Sequence, residues 1–458
     1  MTALRRRAIL LATVALLALT LAADTGAAST TAPTGSLTLL GGSGACLGPG
    51  HGCGRLRGPT GLLRLAISPD GRTLYASGQA GGLAVLARDP ISGRVRQLAG
   101  TKGCVRRDGR QDCARLRGLI DPGAIAISPD GRSLYVTTST GIEAFARTPG
   151  TGALAPIGCL DSGGAAGCGR LRAPAGPSEL LAAGNGDVYV TGTITDAQGN
   201  ATGALAVLAR DRRSGALHQA ASASGCLDDD GSHTCAVALC IDQITALALD
   251  RNATRVYTGA TDSLDPQATL PGDVATFARN PATGALSWLG CQTRRAAITD
   301  VRPLPHSSDV LVSTLYGDRG LGVAGGSLDL YRPKPGGVLT RVRQLACVAH
   351  APCPIPYYSD PARLAVAPDG ATVYVGMIFA GLTVLRHGAH GVSDLPGRAG
   401  CIVSATHYLP PRGCAHEGAE IGADMVVSPD GRDLYVGTLG PSHTQYYAGG
   451  LETFSVTR

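Results

Sequence analysis

Short runs of apolar and β-branched residues alternate with glycine-rich turns along most of this chain, and helical periodicity is weak. One unit recurs about every sixty residues, and a repeat on that scale decides the architecture before any single residue does. Its clearest copies are Ser68-Pro69-Asp70-Gly71 before Leu74-Tyr75, Ser128-Pro129-Asp130-Gly131 before Leu134-Tyr135, and Ser428-Pro429-Asp430-Gly431 before Leu434-Tyr435. Proline presets one turn dihedral and glycine accepts the left-handed one, so each motif reads as a tight turn between two strands. Aligning the second strands gives seven copies, centred on Tyr75, Tyr135, Tyr189, Tyr257, Leu311, Tyr374 and Tyr435. Copies three to five lose the turn motif and keep the spacing.

Each copy continues into a third strand, such as Leu83–Arg88 or Val274–Arg279, then a glycine turn and a fourth strand. Four antiparallel strands in each of seven repeats predict an all-β, seven-bladed β-propeller. The last repeat ends after its third strand, at Arg458, whereas Leu37–Leu40 matches the fourth strands elsewhere and Cys46 follows it in register. The N-terminal strand is therefore expected to complete the last blade and remove the open edge. The predicted organisation is a signal peptide over 1–22, a linker over 23–34 and the propeller over 35–458. Arg5, Arg6 and Arg7 precede an apolar run to Ala22, with small residues at the cleavage site. That run is too short to favour a transmembrane span. Arg6-Arg7 loosely matches a twin-arginine signal, but the leucine-rich core suits the general export route better. A secreted or extracytoplasmic protein is expected, with no membrane anchor after cleavage.

Fourteen cysteines sharpen this picture. Twelve form close pairs: Cys46/Cys53, Cys104/Cys113, Cys159/Cys168, Cys226/Cys235, Cys347/Cys353 and Cys401/Cys414. Export with regular pairing predicts disulfides rather than metal thiolates. Cys240 and Cys291 are left to pair with each other. The formal charge of +6 includes three arginines of the leader, so the basic balance does not point to nucleic acid.

The run Ala66–Gly78, reading AISPDGRTLYASG, and Gly81–Val95, reading GGLAVLARDPISGRV, resemble the YVTN-like repeats of lactonase-type seven-bladed propellers. That family includes 6-phosphogluconolactonase-like and muconate-lactonising proteins, and the resemblance covers essentially all of 35–458. It implies the propeller fold, and lactone hydrolysis or lactonising isomerisation as an activity. It rests on turns and strands; no catalytic residue of the family falls on a matching motif, and cytosolic lactonases lack the cysteine-rich loops.

Antiparallel blades sort their connections onto two faces. The Pro-Asp-Gly turns and the third-to-fourth turns share one; the second-to-third and blade-to-blade loops share the other. The second set is long and carries every cysteine loop, so function is expected there. Three constellations stand out. The first is Cys53-Gly-Arg55-Leu-Arg57, Cys113-Ala-Arg115-Leu-Arg117 and Cys168-Gly-Arg170-Leu-Arg172, six guanidiniums suited to carboxylates, phosphates or sulfated sugars; a merely copied, solvated loop is the alternative. The second is a ring at the start of the innermost strands, Arg64, Ala124, Ser178, Ala246, Asp300, Arg363 and Asp424, with opposite signs on neighbours in blades five, six, seven and one. It reads as an ion-pair girdle or as a polar ligand site. The third is a cluster of His407, His416, Glu417 and His443, with Glu420, Tyr357, Tyr358, Tyr408, Tyr446 and Tyr447, suited to acid–base work on a lactone or to stacking on a ring.

Weaker signals are Asp228-Asp229-Asp230-Gly231, which lacks the full calcium-loop spacing, His387 with His390 on a turn, and Cys347-x-x-His350-x-x-Cys353, which reads as a bridged pair. No Gly-x-Ser-x-Gly elbow, phosphate loop or dinucleotide fingerprint appears. No cofactor or metal is expected. The reading is a monomeric extracellular scaffold that binds a small molecule, glycan or protein on its loop face, with a lactone hydrolase or lactonising isomerase as the alternative.

Overall fold

The computed structural model describes residues 32–458 apart from 49–51, 62, 79–80, 185, 196–200, 232–233, 262–271, 319–322, 348–360, 378–380, 389–390, 396, 405–413, 418–419 and 440–448. Seven small antiparallel sheets form a ring, a seven-bladed β-propeller. Their innermost strands are Leu63–Ile67, Ile125–Ile127, Gly176–Ala182, Gln243–Leu249, Ala297–Pro303, Pro361–Val366 and Glu420–Val427, and each packs on the next around the circle. The tyrosine of the second strand is fully buried in six blades, where it packs between sheets.

The closure strand lies where the repeat pattern puts it. Leu37–Leu39 pairs with Gly450–Val456 as the fourth strand of blade seven, and Cys46–Leu47 extends it. Gly35 N–H donates to Thr457 O, so the two ends of the propeller are tied together. Register explains the cysteines as well. The first cysteine of each loop faces the same place on the third strand: Cys104 opposite Ala84, Cys159 opposite Glu143, Cys226 opposite Ala206, Cys401 opposite Thr383 and Cys46 opposite Glu452. Cys291 stands at that register opposite Ala275 in blade four. The loop after it holds no cysteine, and it bonds Cys240 from the preceding loop. The disulfides described are Cys46–Cys53, Cys104–Cys113, Cys159–Cys168, Cys226–Cys235, Cys240–Cys291 and Cys401–Cys414. Cys347–Cys353 lies outside the described residues, as does the expected leader over 1–22.

A feature unread in the sequence holds the blades together on the turn face. The last residue of the third strand is an arginine that reaches back to the preceding blade. Arg147 Nε donates to Tyr75 OH (2.8 Å), its Nη2 to Asp70 (3.2 Å) and Thr73, and its Nη1 to Gly131 O. Arg279 does the same with Tyr189 (2.6 Å) and Asp187 (2.7 Å). Arg88 joins blade one to Tyr435, Asp430 and Asp433 of blade seven. Arg210 engages Asp130 and Ser133. Four of the tyrosines in turn donate to a glycine carbonyl of the next third-to-fourth turn: Gly152, Gly215, Gly284 and Gly93 for Tyr75, Tyr135, Tyr189 and Tyr435. Gly35 fills that role for Tyr374, so the N-terminal segment stands in for a turn. Burial raises the Tyr75 phenol to about 12 despite Arg147, so it stays a donor. The aspartate of the Pro-Asp-Gly motif is thus an ionic partner as well as a turn residue. Partial burial notwithstanding, the Ser68 hydroxyl, the Arg72 N–H and Arg147 hold Asp70 down to about 2.

Candidate functional site

Two places gather unusual chemistry: the channel and the cysteine loops. In the channel, the innermost strands of blades three to seven break register near their start. Such a bulge re-aims side chains. In blade three, Ser178 and Glu179 lie between the pairs Pro177/Gly192 and Leu180/Val190. The sequence alignment puts Ser178 in the ring, but the register gives that place to Glu179, which precedes Leu180 as Arg64 precedes Leu65; Ser178 is the extra residue of the bulge, its Oγ 3.2 Å from Thr191 Oγ1. The available signal was Leu180, which aligns with Leu65 and puts the residue before it at the position of Arg64.

Glu179 reorganises the expected girdle. Arg64 of blade one and Arg363 of blade six both reach it, at 2.7 Å and 2.6 Å, although neither blade adjoins blade three. Arg363 also donates to Thr245 O. The ring acids do not pair with the ring arginines beside them. Asp300 accepts the Leu364 N–H (2.8 Å) and Arg302 Nε, and Asp424 accepts the Leu65 N–H (2.7 Å). These carboxylates staple one blade to the next through the backbone, because each sits level with the first free amide of the following inner strand. Burial opposes ionisation of Glu179, but Arg363 and Arg64 outweigh it and hold the carboxyl below its ordinary range. For Asp424 burial wins over the same two guanidiniums and raises it. Burial works against the charge of Arg363, yet Glu179, Asp300 and Asp424 push its pKa up.

A cavity of about 410 Å³ adjoins this cluster. Its walls continue along Leu65, Leu181 and Leu364 to Pro305 and Pro368, which stand in the first-to-second strand turns. The described cavity therefore extends from the ring toward the turn face, whereas the loop face was the expected side. The ring residues stand near the strand starts, where Arg64 and Arg363 meet on Glu179.

The six loop arginines divide in two. Arg57 donates to the carbonyls of Leu98 (2.8 Å), Gly100, Gln111 and Asp112, bracing the Cys104–Cys113 loop. Arg172 donates to Ala220 (2.7 Å), Ser222 and Thr234, bracing the Cys226–Cys235 loop. Gln111, Asp112 and Thr234 have φ of 60°, 55° and 58°, a region that side chains disfavour, and the guanidiniums hold their carbonyls. Gln97 and Gln219 fix the backbone of the two arginines from the fourth strands. Blade two has Pro156 at that register, and Arg117 is exposed. Arg55, Arg115 and Arg170 are exposed as well. No hydrogen bond or ion pair engages these four among the described residues.

Of the third constellation, His407, His443 and the named tyrosines lie outside the described residues. His416 and Glu417 belong to the short strand Ala415–Glu417, parallel to Cys401–Ser404; their side chains, with that of Glu420, lie outside the described residues. Asp228 turns its Oδ1 to the Gly231 N–H (2.6 Å), the contact of a local turn. Cys240, Asp273 and Cys291 are the only three metal-type donors that converge among the described residues, and two of them form a disulfide.

No protein-family model matches the chain, and neither does any curated protein sequence. Solved structures are similar in fold. A 6-phosphogluconolactonase candidate from Bacteroides uniformis aligns over 87% of this chain and 97% of its own, with 11% identity and a TM-score of 0.45. The β-propeller domain of Myceliophteria thermophila Cps50 (Swd1) aligns over 86% and 96%, with 12% identity and a TM-score of 0.49. A protein from Lactobacillus plantarum aligns over 73% and 83%, with 14% identity and a TM-score of 0.45.

Proposed function

We propose that this chain is an exported binding propeller that engages an acidic extracellular partner through its disulfide-pinned loop face, with no catalytic step. One observation carries the reading. Arg55, Arg115 and Arg170 recur at one blade-entry position in three consecutive blades, exposed and unengaged among the described residues. In two of those three loops the arginine two residues further on is consumed in bracing. The disulfides fix the loops in advance, which lowers the ordering cost of binding. Export agrees with the six described disulfides. The test is surface plasmon resonance of the mature protein against immobilised anionic and neutral polymers. R55A/R115A/R170A is expected to weaken anionic capture about tenfold or more with an unchanged melting curve. Unchanged capture overturns the reading.

A second reading, lactone hydrolysis, draws on the cavity, where Asp424 with its raised pKa stands near Arg64 and Arg363. A base beside cations could open a lactone. Both Asp424 oxygens already accept backbone N–H groups, from Leu65 and Met425, which ranks this reading second. Lactone turnover that disappears in D424N would reverse the order.

A further inference from the structure

The seams between blades open outward as grooves, and one of them is charged beyond the loop face. It lies between the fourth strand of blade seven and that of blade one, with a volume of about 760 Å³. One wall is the N-terminal segment with Ser43 and Gly44; the other carries Arg94 and Arg96, and Arg55 stands at the loop end. All three arginines are exposed, and no described carboxylate or carbonyl engages their side chains. Arg94 and Arg96 flank buried Val95 and project from one side of the strand, about 7 Å apart. The facing wall carries almost no side chain. A Cβ on Gly44 would meet the Arg94 stem at 3.4 Å, and one on Gly42 would lie 3.5 Å from Arg94 Nη1. Val95 N–H donates to Gly44 O, which fixes the two walls together. The acid at the far end, Asp89, is occupied by the N–H groups of Ile91 and Ser92 and the Ser92 hydroxyl.

The same groove recurs between blades two and three at about 360 Å³. Arg170 takes the place of Arg55 there, His218 that of Arg96, and Ala216 that of Arg94. At the seam between blades one and two the corresponding residues are Ala153 and Ala155. The seam geometry is thus a product of the repeat. The triple arginine is particular to the place where the N-terminal strand closes the ring.

We infer that this groove binds a linear anionic polysaccharide, with sulfates or carboxylates held by the guanidinium forks of Arg55, Arg94 and Arg96. An open trench with charges spread along it suits a polymer with repeated anions better than a compact ligand with one. The inference rests on the acidic-partner reading above and gives its ligand class and its place.

The experiment measures binding of the mature protein to size-defined heparin oligosaccharides, polygalacturonate, polyglutamate and neutral dextran. Wild type is compared with R94A/R96A and with R115A/R170A, each checked for an unchanged melting temperature. The groove predicts at least a tenfold weaker Kd for R94A/R96A, little change for R115A/R170A, affinity that grows with oligosaccharide length, and no dextran binding. Loss in R115A/R170A alone, or equal loss in both variants, overturns the groove and leaves the loop-face reading standing. Polyglutamate outcompeting both glycans overturns the ligand class. No binding of any polyanion overturns both.

Discussion

The two faces of this propeller use arginine in opposite ways. On the turn face, Arg88, Arg147 and Arg279 are buried and saturated, each bonded to a tyrosine, one or more carboxylates and a carbonyl of a turn. On the loop face, Arg55, Arg115, Arg117 and Arg170 stand in solvent. The difference teaches where the repeat spends its chemistry. The turn face has an aspartate and a tyrosine in register with the arginine, so a copied blade is glued to its neighbour. The loop face copies the arginine without copying an acid. Even within the turn face the rule lapses where the arginine shifts register. In blade five Arg332 stands one register step short of the position of Arg88, opposite Asp309 of its own blade, and pairs with it with its side chain 57% exposed.

The sharpest way to break this contrast is to remove a turn-face clamp. R147A leaves Asp70 without its guanidinium and Tyr75 OH without a donor, and should cost about 3–4 kcal/mol in urea unfolding. A loss under 1 kcal/mol would mean that the clamp is incidental. Next comes Glu143, a buried carboxylate in blade two whose Oε1 packs on Gly118 of the loop face, with no hydrogen-bond donor among the described residues. Burial, then the Asp161 charge, raise it from 4.5 to about 7. A raised acid binds its proton more tightly when folded, so its penalty is absent below pH 4.5 and complete above pH 7. E143Q should therefore be more stable than wild type by about 3 kcal/mol above pH 7, with the gap closing toward pH 4.5. A pH-independent gap would sink the assignment. R57A should cost about 1–2 kcal/mol and speed proteolysis of the Cys104–Cys113 loop. R332A should move stability by less than 1 kcal/mol, as an exposed pair does; a loss matching R147A would erase the distinction between the seams.

Much of the fold was legible because the repeat writes it out. The tyrosine spacing gave seven blades, Leu37–Leu40 gave the closure, and the missing cysteine after Cys291 pointed to Cys240. The channel was legible only in part. Arg64, Asp300, Arg363 and Asp424 do line one cavity, but the blade-three place belongs to Glu179 and not to Ser178; Glu179 precedes Leu180 as Arg64 precedes Leu65, so the spacing held it and the alignment was one residue off. Asp300 and Asp424 looked like partners for arginine, whereas they serve backbone amides, which carry no side-chain signature. The clamp arginines were visible at the end of third strand after third strand. Their meaning depended on which blade lies next in space.

The seam at which Gly35 meets Thr457 also has a history in time. Ser36 and Thr457 are 421 positions apart in the chain, so the first segment of the propeller to be synthesised waits for the last before its strand is paired. Contacts of such long range are formed late and slowly. Until then, blade seven lacks its fourth strand, and the Arg88 clamp has nothing to hold. The ring can lock only once the whole polypeptide is present, which makes arrival of the last strand the event that releases the final step of folding.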